Sequence, residues 1–331
     1  MSDTKTDVRQ AKALVLDYFK TLSGATPATV GKTLQGVMGE DVRWHGPHPV
    51  NTLDGLGALL TGFWKPFLTS FKSLAVRPYI VMGGEDGGDI WVSATGDLIA
   101  TFAADYLALP ATGSSVRIRF GSFYRFGEGR VAEVYTLLDL PELAAQAGRP
   151  LLPPGLGRAL WIPGPLAGDG LVWEADSRAS QDSLNLVERM IAGLNSYDTH
   201  DTASMGMARF WHAETMRWYG PHGVGTTVGL ADFERHHQLP FLHAFPDRHG
   251  DGTTARFADG LFVAYNGWPA IRATHAGDYL GVRASKKPVT MRCLDWWRRD
   301  GDKLLENWVM LDLPDLFAQV GVNLLNREVA A

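Results

Sequence analysis

A single cysteine, Cys293, stands in 331 residues, so no intrachain disulfide and no multi-cysteine metal site can form. That usage fits a reducing compartment, and the cytoplasm is the expected location. Lys and Arg number 31 against 36 Asp and Glu, a net charge of -5, which leaves no basic excess for nucleic acid. There is no run of 18 apolar residues, and the polar first ten residues are followed by no apolar signal core. Neither a nucleic-acid partner nor a membrane is therefore expected. Phosphate and nucleophile signatures are missing as well. Gly83-Gly84-Glu85-Asp86-Gly87-Gly88 reads as a turn between strands, and no nucleophile elbow occurs.

What the chain does have is a duplicate of itself. Arg43-Trp44-His45-Gly46-Pro47-His48 returns as Arg217-Trp218-Tyr219-Gly220-Pro221-His222, and Pro66-Phe67-Leu68 with Phe71 returns as Pro240-Phe241-Leu242 with Phe245. Further on, Asp105-Tyr106-Leu107 returns as Asp278-Tyr279-Leu280, and Leu138-Asp139-Leu140-Pro141 as Leu311-Asp312-Leu313-Pro314. A spacing this long is a whole domain rather than a solenoid repeat. At 45% hydrophobic residues the chain can fill two cores. The organisation expected is a domain over 1–148, a packed proline-rich linker over 149–182, and a second domain over 183–331.

Each copy reads as helices followed by a meander of strands, with 37 glycines supplying turns. In the first, helical spacing covers 11–22 and 57–71, and extended segments cover 42–44, 76–82, 89–94, 98–107, 116–126 and 131–138. In the second, helices are expected at 184–194 and 230–245 and strands at 214–219, 256–265, 270–280, 289–299 and 303–311. That order argues an α+β fold with a curved antiparallel sheet in each half.

Trp218-Tyr219-Gly220-Pro221, Ala244-Phe245-Pro246-Asp247, Thr274-His275-Ala276-Gly277, Arg298-Arg299-Asp300-Gly301 and Glu306-Asn307-Trp308 follow one another in an order that resembles the SnoaL-like polyketide cyclase family of the NTF2-like superfamily. The first copy resembles it through Trp44-His45-Gly46-Pro47, Leu109-Pro110-Ala111-Thr112-Gly113 and Leu138-Asp139-Leu140. The resemblance implies two tandem cone-shaped α+β barrels, each around an apolar pocket, with the copies paired inside one chain and further homo-oligomers open. It implies a cofactor-independent cyclase or isomerase, or a non-catalytic binder or scaffold; fold alone does not choose. The chain departs from the family after the His-Trp pair, where cyclases carry their acid: Val309 stands there in one copy and Thr136 in the other.

Comparison of the copies nominates residues. Alternation along 289–297 puts Val289, Met291, Cys293, Asp295 and Trp297 on one face, and the first copy has Ser122 where the second has Asp295. A carboxylate in an apolar hollow is suited to proton transfer α to a carbonyl. His275 replaces Phe102 and Tyr219 replaces His45, so both join Asp295 as catalytic candidates, the latter as an oxyanion donor. His222, Asn307, Trp297, Trp218, His45 and His48 are candidate substrate-binding residues, for a small apolar molecule bearing a carbonyl group. No cofactor and no metal are expected. His236, His237 and His243 read as a solvated helix face, because neighbours 236 and 237 point apart. Paired residues Asp105 and Asp278, Asp139 and Asp312, and Glu133 and Glu306 read as turn or capping groups. A binder would instead be closed by the rings of Trp64, Trp91, Trp268 and Trp297.

Overall fold

The computed structural model describes residues 7–158, 161–198 and 201–327. The chain divides into two compact units, Met1–Pro150 with Leu166–Glu174, and Leu151–Pro165 with Ala175–Ala331. The proline-rich stretch is thus shared between the units. Gly157 N donates to Val224 O at 2.8 Å in one, and Val172 N to Val81 O at 3.0 Å in the other.

In the N-terminal unit, helix Val8–Leu22 starts at a capping box. Asp7 accepts from Gln10 N at 2.7 Å, and the Gln10 side chain reaches back to Asp7 N. The helix buries Val15, Tyr18, Phe19 and Leu22, one face of a 3.6-residue period. The strands are β1 (Met38–His45), β2 (Thr52–Asp54), β3 (Phe71–Asp86), β4 (Asp89–Phe102), β5 (Ser115–Gly127) and β6 (Arg130–Leu138), in the sheet order β2-β1-β6-β5-β4-β3. The C-terminal unit has helix Ser177–Leu194 and strands β7 (Arg217–Tyr219), β8 (Thr226–Val228), β9 (His249–Gly250), β10 (Ala255–Asp259), β11 (Phe262–Thr274), β12 (Pro288–Asp300) and β13 (Lys303–Leu311). Its order is β10-β11-β12-β13-β7-β8, with β9 also on β11.

Both sheets are curved and mixed rather than antiparallel throughout. β1 pairs with β6, and β7 with β13, in parallel, because the last strand of each meander closes against the strand that began it. Other expectations shift too. The segments expected at 89–94 and 98–107 join in one strand, β4, which ends at Phe102 and leaves 103–107 outside it, and the stretch at 256–265 is a hairpin turning at Gly260, whose φ is +65°.

The shared Trp-x-Gly-Pro motif has a packing reason. A Cβ at Gly46 would lie 1.9 Å from the Trp44 ring, and one at Gly220 would lie 2.2 Å from Trp218. Each indole folds over the glycine two residues on and is buried there, which stabilises by about 2–3 kcal/mol for a ring of this size. Asp139 and Asp312 cap the last helix of each unit, accepting from Glu142 N at 3.1 Å and Asp315 N at 3.2 Å. Asp105 and Asp278 each accept a backbone N–H six residues on, at 2.8 Å. Glu133 and Glu306 are not caps. They lie in β6 and β13 and bind the side chain that the parallel strand presents, His45 in one unit and Tyr219 in the other. Among the described residues no helix is long and apolar enough to cross a membrane.

Candidate functional site

The two units differ in what their curved sheets enclose. The N-terminal hollow is nearly closed, with about 30 Å³ remaining. Tyr18 and Phe19 of the first helix meet Tyr124 and Phe120 of β5 edge to face, at 6.4 and 5.7 Å between ring centres, and Trp64 closes the same space. The C-terminal unit places Met190 and Ile191 on the corresponding helix and Cys293 in the place of Phe120. Smaller side chains leave a cavity of about 460 Å³, in the usual range for a small organic ligand.

The alternation read along β12 holds. Met291, Cys293, Asp295 and Trp297 line this cavity. Asp295 is 9% exposed, and its carboxylate accepts from the Cys293 thiol at 2.9 Å and from Asn307 Nδ2 at 3.4 Å. In the N-terminal unit the corresponding pair of strands carries Ser122 bonded to Thr136 at 3.0 Å. Asn307 also lines the cavity, but its amide donates to Trp296 O at 3.0 Å as well, so it holds Asp295 rather than offering a donor to a ligand. Burial, followed by the charge of Asp295, pushes the Cys293 thiol well above its ordinary pKa. Alkylation of native Cys293 by iodoacetamide at pH 8 should therefore run at least about 100-fold slower than in the unfolded chain, and Asp295→Asn should speed it. A native rate equal to the unfolded one would contradict this geometry.

Trp218 and Trp297 are in the cavity wall as expected. The remaining candidates are not. Tyr219 alternates with Trp218 and faces away, donating to the buried Glu306 at 3.2 Å. His275 stacks on Phe245 at 5.5 Å, as Phe102 stacks on Phe71 at 4.7 Å, so it fills a ring position of the core. His222 sits in a turn whose Pro221 and Val224 reach the cavity while its own side chain does not. His45 stacks on Tyr135 and bonds Glu133 at 2.9 Å; with Tyr135 and Arg125 it holds that carboxyl down to about 2. His48, at a cis peptide to Pro49, lines neither hollow. Trp91 and Trp268 also lie outside, beside Tyr135 and beneath the Arg292 guanidinium respectively.

His237 was missed. Far from being solvated, it lines the cavity and stacks on Trp218 at 4.0 Å, where the N-terminal unit stacks Phe63 on Trp44 at 4.5 Å. Its Nδ1 is buried without a hydrogen-bond partner among the described residues. Burial, and then the positive charge of Arg248, lowers its pKa to about 3, so the imidazole is neutral at physiological pH. A signal existed in the sequence: Phe233, His237, Phe241 and Phe245 recur every four residues, a stripe whose rings pack in a chain at 5.1–5.6 Å. His236 instead pairs with Asp232 and His243 is exposed, and no three His, Cys, Asp or Glu residues among those described are grouped to hold a metal.

A curved mixed sheet wrapped around a hollow, with helices across its open side, defines an NTF2-like domain, and this chain carries two. The chain is a tandem member of the SnoaL-like family: residues 15–134 match the model of the SnoaL-like domain, and residues 186–320 that of the SnoaL-like polyketide cyclase. Among solved structures, a putative hydroxylase, AclR, from Streptomyces galilaeus is 21% identical, covering 43% of this chain and 97% of its own, with a TM-score of 0.35. A putative polyketide cyclase, IdmH, from Streptomyces antibioticus is 21% identical over 41% of this chain and 98% of its own, with a TM-score of 0.33. A putative SnoaL-like polyketide cyclase from Jannaschia sp. CCS1 is 20% identical over 43% and 93%, with a TM-score of 0.35. No curated protein matches the chain.

Proposed function

We propose that the C-terminal domain is an acid/base enzyme of the SnoaL-like cyclase or isomerase type, acting on a small apolar molecule that carries a carbonyl group. The observation that carries this reading is a carboxylate, Asp295, on the wall of an open apolar cavity whose N-terminal counterpart is filled and holds Ser122 instead. Asp295 takes the proton α to the carbonyl. The neutral His237 donates to the enolate oxygen as charge builds there, a role an imidazole held neutral can fill without a metal. Trp218 and Trp297 give the ligand flat apolar contact. The N-terminal domain, its hollow filled by its own rings, is read as structural.

The test needs no knowledge of the natural substrate. The protein is mixed with a bicyclic ketone, 2-tetralone, in D2O, and loss of the α-proton signals is followed by NMR. Exchange well above the buffer rate is expected. Exchange at the buffer rate would leave the C-terminal domain a binding module.

A further inference from the structure

Arg248 lies between helix Leu239–Ala244, which follows the turn bearing His237, and the short strand β9, and its side chain lines the C-terminal cavity. Its Nη2 donates to Leu194 O at 3.0 Å and rests against Met205 Sδ at 3.7 Å. Among the described residues no carboxylate forms an ion pair with it, and the acidic group felt nearby is the phenol of Tyr197. The other arginine on the wall, Arg256, is paired with Glu188 at 3.2 Å. The repeat puts Leu74, a buried apolar residue, where Arg248 stands. A half-buried guanidinium without a counter-ion is strongly unfavourable by itself, and it also makes the neighbouring His237 harder to protonate. Such an arrangement is stable in a working site when the ligand brings the missing negative charge. The guanidinium fork matches a carboxylate in shape and donor number.

We infer that the cavity takes an organic acid, its apolar body between the tryptophans and its carboxylate paired with Arg248. This rests on reading the C-terminal cavity as a ligand site. It narrows the substrate from any apolar carbonyl compound to one with an acidic end, held at the Arg248 side of the hollow.

The experiment compares 2-naphthoate with its neutral methyl ester, two ligands of one body differing in charge. Dissociation constants are read at pH 7.5 by calorimetry on the full chain. The acid is expected to bind at least about tenfold more tightly than the ester, and Arg248→Leu to erase that difference by weakening the acid. Leu74 shows the fold accepts leucine at this place; should Arg248→Leu fail to fold, Arg248→Gln gives the same comparison. Equal binding of acid and ester by the unaltered protein overturns the inference, as does a preference that survives loss of the guanidinium. No turnover is read, so this inference and the proton-transfer reading fail separately: an absent acid preference alongside intact α-proton exchange sinks only the former, and the reverse result only the latter.

Discussion

Asp295→Asn is expected to lower α-proton exchange by 100-fold or more, within the range of about 10²–10⁴ that a positioned general base supplies. The substitution keeps shape and volume and removes the basic oxygen pair. One amide oxygen still accepts from Cys293 or Asn307, which donate to the carboxylate at 2.9 and 3.4 Å. Thermal unfolding should therefore move by no more than the equivalent of about 1 kcal/mol. Asp295→Ser, which installs the side chain of Ser122, should lose as much rate. A variant that unfolds normally and exchanges at the full rate would remove Asp295 from the chemistry. Loss of exchange with loss of folding would instead mark it as structural, and the two outcomes are told apart by the melting curve.

The doubled fold could be read from the sequence because its markers are demands of packing. Trp44 and Trp218 require the glycine two residues later, and Asp139 and Asp312 require a helix to cap, so these residues survive in both copies. Alternation gave the cavity face of β12 for a similar reason: a strand buried on both sides still sends Asp295 and Trp297 one way and Trp296 the other. Strand limits were less visible. β11 carries two extra residues opposite β12 between Gly267 and Ile271, so the spacing of the copies changes along the strand and blurs its alignment with β4.

The choice of site residues failed where difference between copies was taken as placement. Tyr219 and His275 do differ from His45 and Phe102, yet each repeats its partner's contact, with a strand glutamate in one case and with a phenyl ring in the other. His237 replaces Phe63, and its place on the cavity wall overturns the solvated face expected for it with His236, since charged neighbours draw a helix toward a surface reading. The turn that holds it, Glu234–Gln238, is wound as a π-helix, which breaks the regular phase of the helix at that point. Arg248 follows a Pro-Asp turn, where neither helical nor strand period says which way a side chain points. Its meaning appears only once the cavity and the missing counter-ion are seen together.

His237→Phe should change how the protein responds to acid. An unfolded histidine titrates near 6.5, while the folded His237 does so at about 3. Between those values the unfolded chain binds a proton that the folded one refuses, so stability is complete above pH 6.5 and falls as the pH drops toward 3. At pH 4.5 the loss assigned to this residue is about 2–3 kcal/mol, at 1.36 kcal/mol per unit. Phenylalanine has nothing to protonate and can stack on Trp218 as Phe63 stacks on Trp44. The variant should match the parent or slightly exceed it at pH 8, where an unpartnered buried Nδ1 has been removed, and should pull ahead as the solution is acidified. Urea unfolding of both proteins from pH 8 to pH 4.5 measures the gap directly, since acid effects on carboxylates elsewhere are common to both and cancel. A gap that stays constant across that range would mean the imidazole is solvated and titrates normally, and with it would go the neutral donor assigned to the enolate oxygen.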